Sequence, residues 1–170
     1  MKRRILGIAA AAALVAPAGA HAPAQTVDAP CNGTGVPIHV IALDMKDRTG
    51  SIKVELWPAN EQDFLKDDRD LKREGKFFAR VWGKVPASGP VTLCIRVPQA
   101  GRYGMVFTHD RDGKNKFNIW KDGVGVVSNR AVGRSRPKLA YSTINVAPGG
   151  VQVTLKMQYL RGLSGFSPAR

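Results

Sequence analysis

Cysteine, histidine and, over much of its length, acid are what this 170-residue chain is short of, and each shortage removes a class of function. The two cysteines, Cys31 and Cys94, form no Cys-x-x-Cys pair, which argues against a redox motif. His39 and His109 are the histidines outside an N-terminal leader described below, too few for a zinc centre that wants three or four His, Cys or carboxylate ligands. Ser128, the serine nearest to hand for a hydrolase using His109, has no Gly-x-Ser-x-Gly elbow around it. Beyond the leader no apolar run approaches the about 20 residues that cross a bilayer. No internal repeat is present, and no helix-length crossover separates the strands, so nothing suggests a parallel sheet. From Gly75 to Arg170 only three acids, Asp110, Asp112 and Asp122, face sixteen bases.

Residues 1–24 have the composition of a cleaved signal peptide. Lys2, Arg3 and Arg4 precede a short apolar run from Ile5 to Val15, and Ala18-Gly-Ala20 or Ala22-Pro-Ala24 offers small residues for cleavage. Pro17 and Gly19 interrupt the run, which is too short for an anchor, and no cysteine follows it for lipidation. The expected location is periplasmic or secreted. In that compartment Cys31 and Cys94 are expected to bond and to close a loop worth about 4 kcal/mol in the chain-entropy model. The chain's formal charge of +13 concentrates in its C-terminal part, because Asp44 to Glu74 holds nine acids and seven bases. Such a field attracts anionic partners, in an envelope the head groups of phospholipid or lipopolysaccharide or nucleic acid passing through, although scattered bases on solvated faces also serve solubility alone.

Period-two alternation sets the fold class. Val36–Leu43 and Ser51–Trp57 read as strands joined by the polar turn 44–50, hence as a hairpin. Asn60 can cap a short helix through Leu65, and the charged stretch 67–74 reads as a mobile loop. Further strands are expected at 76–85, 91–97 and 102–109, with Cys94 pointing away from the row Val91, Leu93, Ile95, Val97. Residues 119–136 read as an irregular excursion, and 138–146 and 151–159 as a last pair of strands around Pro148-Gly-Gly150. The expectation is an all-β protein, a single antiparallel β-sandwich of about seven strands. Its expected divisions are an N-terminal segment 25–35, the sandwich 36–160 and a flexible tail 161–170.

Several landmarks recur in one known family: Gly50-Ser-Ile-Lys-Val-Glu-Leu, Gly101 and Tyr103, a strand closing on His109-Asp110, the Asp/Asn/Gly loop after it, and Gly125-Val-Val-Ser128-Asn129. In these the chain, over residues 36–159, resembles the bacterial exported family called domain of unknown function 2141. The resemblance implies a small sandwich of the transthyretin or carboxypeptidase-regulatory type and carries no activity. Where family members read His-Asp-x-Asn-Gly-Asn-Gly-Lys-Leu-Asp, this chain has Lys114, Asn115 and Asn118 in place of an oxygen donor, a glycine and the final Asp.

Candidate chemistry gathers in that loop and in the excursion after it. Asp110 and Asp112 alternate, and with Asn118 they form a candidate calcium ligand set. Arg111, Lys114 and Lys116 compete with an ion there, and the Lys114 ammonium could itself bridge the two acids. The alternative is a polar turn held by Asx bonds. His109 invites a proton-shuttle reading, against a structural one in which it bonds loop backbone at a strand end. His109, Lys116, Trp120, Arg130, Arg134 and Arg136 form a candidate binding face, since bases beside aromatics contact phosphates and stack on rings. The first functional reading is a non-catalytic exported binding or accessory module, without cofactor, that meets an anionic envelope component. A calcium-stabilised module and a small hydrolase on the same scaffold are the alternatives.

Overall fold

The computed structural model describes residues 31–168; the signal-peptide and cleavage-site readings lie outside the described residues. Among these described residues, ten strands make two sheets facing each other. The smaller has the order β4-β1-β8, from β1 (Val36–Leu43), β4 (Val91–Val97) and β8 (Val151–Lys156). The larger runs β10-β9-β6-β5-β2-β3, from β2 (Ser51–Pro58), β3 (Ala79–Lys84), β5 (Gly101–Asp110), β6 (Gly123–Val126), β9 (Gln158–Leu160) and β10 (Phe166–Pro168). β7 (Thr143–Val146) pairs with β5 at Gly101–Gly104, and β6 takes the same edge further on, at Val106–His109. The all-β sandwich expected from the alternation is present.

The core lies between the sheets. Ile38, Val40 and Ala42 of β1 and Val91, Leu93, Ile95 and Val97 of β4 meet Ile52, Val54 and Leu56 of β2 and Tyr103, Met105 and Phe107 of β5. Every second residue points inward because successive side chains of a strand alternate faces. Each fully buried Val, Leu, Ile or Phe contributes roughly 1.5–3 kcal/mol relative to exposure. Cys94, on the outer side of β4, is bonded to Cys31, 5.3 Å away between Cα atoms. Among the described residues, no helix is long and apolar enough to cross a membrane.

Several expectations need correction. β1 and β2 are not a hairpin: the 44–50 turn carries the chain from one sheet to the other, and β1 pairs with β4 and β8 instead. The β1–β8 pairing is parallel, and no crossover helix is needed because the chain between them passes through the opposite sheet. The strand expected at 151–159 breaks at Met157, and its two parts join different sheets. The strands β7 and β8 flank Pro148-Gly-Gly150 without pairing as a ladder. Residues 138–142 are not strand but hold the short helix α2 (Leu139–Ser142). The excursion 119–136 contains β6, and the segment after Leu160 returns as β10, because Phe166 buries itself on the outer face of the large sheet.

The charged stretch expected to be a mobile loop is helix α1 (Asp68–Arg73). Asp67 caps it by accepting the Arg69 amide, acids occupy its first turn and bases its last, and Leu71 is buried beneath it. Asn60 accepts the Asp63 amide at 2.9 Å but starts a turn rather than a helix.

Candidate functional site: a cationic apolar groove beside an acidic loop

The middle of the large sheet is covered by apolar side chains on both faces, and this creates the site. β5 is buried continuously from Tyr103 to Asp110, so Val106 and Thr108 are covered from outside just as Met105 and Phe107 are from within. A second apolar cluster covers the outer face: Trp57, Leu71, Val106, Val124 and Phe166, with Phe64, Leu65, Phe78, Val132 and Leu160 packed against it. Trp57 is held edge-on by Phe64 and Phe78, and its Nε1–H donates to the Lys66 carbonyl at 3.0 Å.

The cover is incomplete. It leaves a groove of about 990 Å³ between the sheet and the segments 132–137 and 117–120. Trp57, Val106, Val124, Leu160 and Phe166 give it apolar walls. Lys53, Arg134 and Arg136 bring positive charge, and Ile119 and Trp120 stand at the lip, Trp120 with 75% of its surface exposed. Glu55 is the one acid in the lining, and both its oxygens are taken, by Lys53 Nζ at 2.9 Å and Arg80 Nε at 2.7 Å. Arg134 donates to the Leu163 carbonyl and Arg136 to that of Leu65, bonds that hold the 132–137 segment in place as the groove wall.

Of the candidate binding residues, Trp120, Arg134 and Arg136 meet at this groove. Lys116 lines a shallower, adjoining depression with Asp112, Lys114 and Asn118, on the other side of the ridge formed by Phe117 and Ile119. Arg130 stacks over the Tyr141 ring at 5.4 Å and lines neither.

His109 is fully buried. Its Nε2–H donates to the Thr49 carbonyl at 2.7 Å, since that oxygen can only accept. Nδ1 is then the acceptor for the Tyr159 hydroxyl at 2.7 Å, and Tyr159 Oη in turn accepts the Lys46 amide at 3.0 Å. The chain is saturated, and it fixes a neutral ring that joins the 44–50 turn to β5 and β9. Burial lowers the His109 pKa below its usual value and pushes the Tyr159 phenol up to about 12. Because the folded state resists protonating His109, the unfolded state binds the extra proton, so stability is complete above the ordinary histidine pKa and falls as pH drops through it. Thermal melts in chelator-containing buffer are expected to lose stability as pH falls below about 6.5, the ordinary histidine value. His109→Gln is expected to abolish that slope; an unchanged slope would reject the assignment.

Asp110 ends β5 and Asp122 precedes β6, so the antiparallel pairing His109↔Gly123 sets them together at the mouth of the hairpin. Carboxylate oxygens of Asp110, Asp112 and Asp122 lie within 4.8 Å of one another. Asn118, a candidate ligand by sequence, offers the cluster its nitrogen: its Nδ2–H donates to Asp112 while its Oδ1 accepts the Trp120 amide. Asp122 is the member that sequence reasoning missed. Only recognition of Gly123–Val126 as the return strand of β5 would have found it. Lys114 pairs with no acid among the described residues, and Arg111 points its guanidinium at Asp47, whose carboxyl it holds far below the usual range. The group Cys31, His39 and Cys94 is no metal site, because its two sulfurs are bonded to each other.

The fold and site define a disulfide-linked all-β sandwich with a cationic apolar groove on one sheet. The family model for an uncharacterized protein conserved in bacteria (DUF2141) matches residues 40–154, and the chain belongs to that family. No curated protein and no solved structure matches it.

Proposed function

We propose that the protein is an exported, non-catalytic binding module that holds an anionic phospholipid in the groove on the outer face of its large sheet. The observation that carries this reading is the pairing of apolar walls with an excess of cations. Trp57, Val106, Val124 and Phe166 offer an acyl chain a dry surface, while Arg134 and Arg136 have no acid partner among the described residues, because Glu55, the one acid in the lining, is already paired with Lys53 and Arg80. The volume, about 990 Å³, is at the upper end of small-molecule sites. Export is supported by the leader-like residues 1–24 and by the Cys31–Cys94 bond, which suits an oxidising compartment. The non-catalytic character is supported by His109: both its nitrogens are committed, and neither it nor Ser128 lines the groove.

Titration with a lysophospholipid of anionic head group, followed by intrinsic tryptophan fluorescence, tests the reading. Trp57 and Trp120 line the groove, so a saturable change is expected at low salt, with the zwitterionic analogue at least about 10-fold weaker. Replacing Arg134 and Arg136 by Gln is expected to erase that preference and, because the same side chains tie down the 132–137 wall, to weaken binding of both analogues. Equal affinity for both head groups in the wild type would reject it.

A further inference from the structure

We propose that Asp110, Asp112 and Asp122 form a calcium site at the mouth of the β5–β6 hairpin. Three carboxylates converge there with oxygens within 4.8 Å of one another. Three oxygens evenly spread around one calcium at the usual 2.3–2.6 Å stand about 4.0–4.5 Å apart, so the observed spacing needs only small side-chain rotations to bring all three onto one ion.

Charge is the first argument. Asp110 and Asp122 are only 3% and 1% exposed. Among the described residues, the one cationic side chain paired with the cluster is Lys121, whose Nζ is 3.8 Å from Asp112 Oδ2 and whose side chain is 54% exposed. Arg111, next in the chain to Asp110, is engaged by Asp47. Lys114 acts on Asp112 and Arg111 on Asp122 through space, but among the described residues the two buried carboxylates, Asp110 and Asp122, have no ion-pair partner, and buried charges are ordinarily paired or bound to metal.

The second argument is independent of charge. Asp110 Oδ1 is buried and has no hydrogen-bond donor among the described residues. The other carboxylate oxygens are held, mostly by backbone amides. Asp110 Oδ2 accepts from Asn115 N at 2.9 Å, and Asp122 accepts from Arg111 N at 2.9 Å and Asn118 N at 2.7 Å. Asp112 accepts from Lys114 N and from Asn118 Nδ2, both at 3.3 Å. These bonds orient the carboxylates and still leave each oxygen a second lone pair for a cation. An all-oxygen set selects a hard cation, and calcium accepts the irregular geometry of a loop with water filling its remaining positions.

The site goes beyond the lipid reading, since the ion is tested alone. It would also act on the groove: Asp122 grips the Asn118 amide, and Asn118 caps the turn that presents Ile119 and Trp120 at the lip.

The mature wild-type protein, stripped with chelator, should melt roughly 5–10 °C higher in about 5 mM calcium, and the rise should saturate. Magnesium at the same concentration should give a smaller rise. Asp112→Asn, at the least buried of the three acids, should lose the calcium-dependent rise yet melt at or above the wild-type temperature in chelator, because one repelling charge is gone. A purely structural Asp112 would instead make the variant melt lower in chelator. Any of three results overturns the proposal: no saturable rise in the wild type, a rise as large with magnesium, or a rise that survives in Asp112→Asn.

Discussion

Gly50→Ala is expected to cost about 3 kcal/mol or more, whereas Gly89→Ala is expected to cost about 1 kcal/mol. Both glycines have left-handed backbones, φ +73° and +77°. A side chain at either pays the left-handed penalty, about 1–2 kcal/mol. They differ in what a β-carbon would meet. At Gly89 nothing lies within 4 Å. At Gly50 it would overlap the Asp110 carbonyl oxygen and come within 2.8 Å of Arg111 Cα. Ser51 is paired with Asp110 across the β2–β5 ladder, so neither backbone can retreat without breaking register. The clash adds overpacking, about 1–3 kcal/mol. It also falls on the residue that delivers the Asp110 carboxylate, so Gly50→Ala should weaken any calcium response as well. Urea denaturation of the two variants checks the comparison, and equal midpoints would refute it.

How far the fold was legible follows from what each signal encodes. Alternation encodes which residues face a core, and it placed β1 and β4 at their observed bounds. It does not encode partners. A polar turn between two alternating runs is normally a hairpin, yet here the chain crosses to the other layer, where Ser51 enters the β2–β5 ladder opposite Asp110. β6 was lost because Gly123-Val-Gly-Val has too few side chains for a pattern. Its glycines are required by the packing: a β-carbon at Gly123 would overlap the Tyr159 ring, and one at Gly125 would lie 2.5 Å from Leu155 Cδ1. α1 was hidden by its charge, although Asp67 followed by acids and then bases is a capped, dipole-matched helix.

The site divides along the same line. Asp110 and Asp112 are neighbours in sequence and were visible as a pair. Asp122 joins them only through the β5–β6 ladder. The groove was out of reach, because its walls come from β2, β5, β6, β9, β10 and the 132–137 segment. One clue was present: the run Met105-Val106-Phe107 has no polar alternation, as expected of a strand covered on both faces.

Replacing Cys31 and Cys94 together by serine is expected to lower stability by about 2–4 kcal/mol and the melting temperature by about 10 °C. The bond spans 63 positions, a segment that contains β1, β2, α1 and β3. Constraining a loop of that length removes conformational freedom from the unfolded chain, and the effect grows slowly with length. The folded side contributes a second term. Arg96 Nε donates to the Cys31 carbonyl at 2.9 Å, so the bond holds the segment before β1 where Arg96 can reach it. Cys94 lies opposite His39 in the β1–β4 ladder, on the outward side, and serine there leaves no core cavity. The loss should therefore appear in the equilibrium midpoint with the β-sheet circular dichroism of the native state unchanged. Wild-type protein isolated with its thiols reduced should match the double variant, and oxidation should restore the difference. A variant as stable as the oxidised wild type would mean that neither loop closure nor the Arg96 anchor contributes, and the β1–β4 ladder alone would then have to hold that edge of the sandwich.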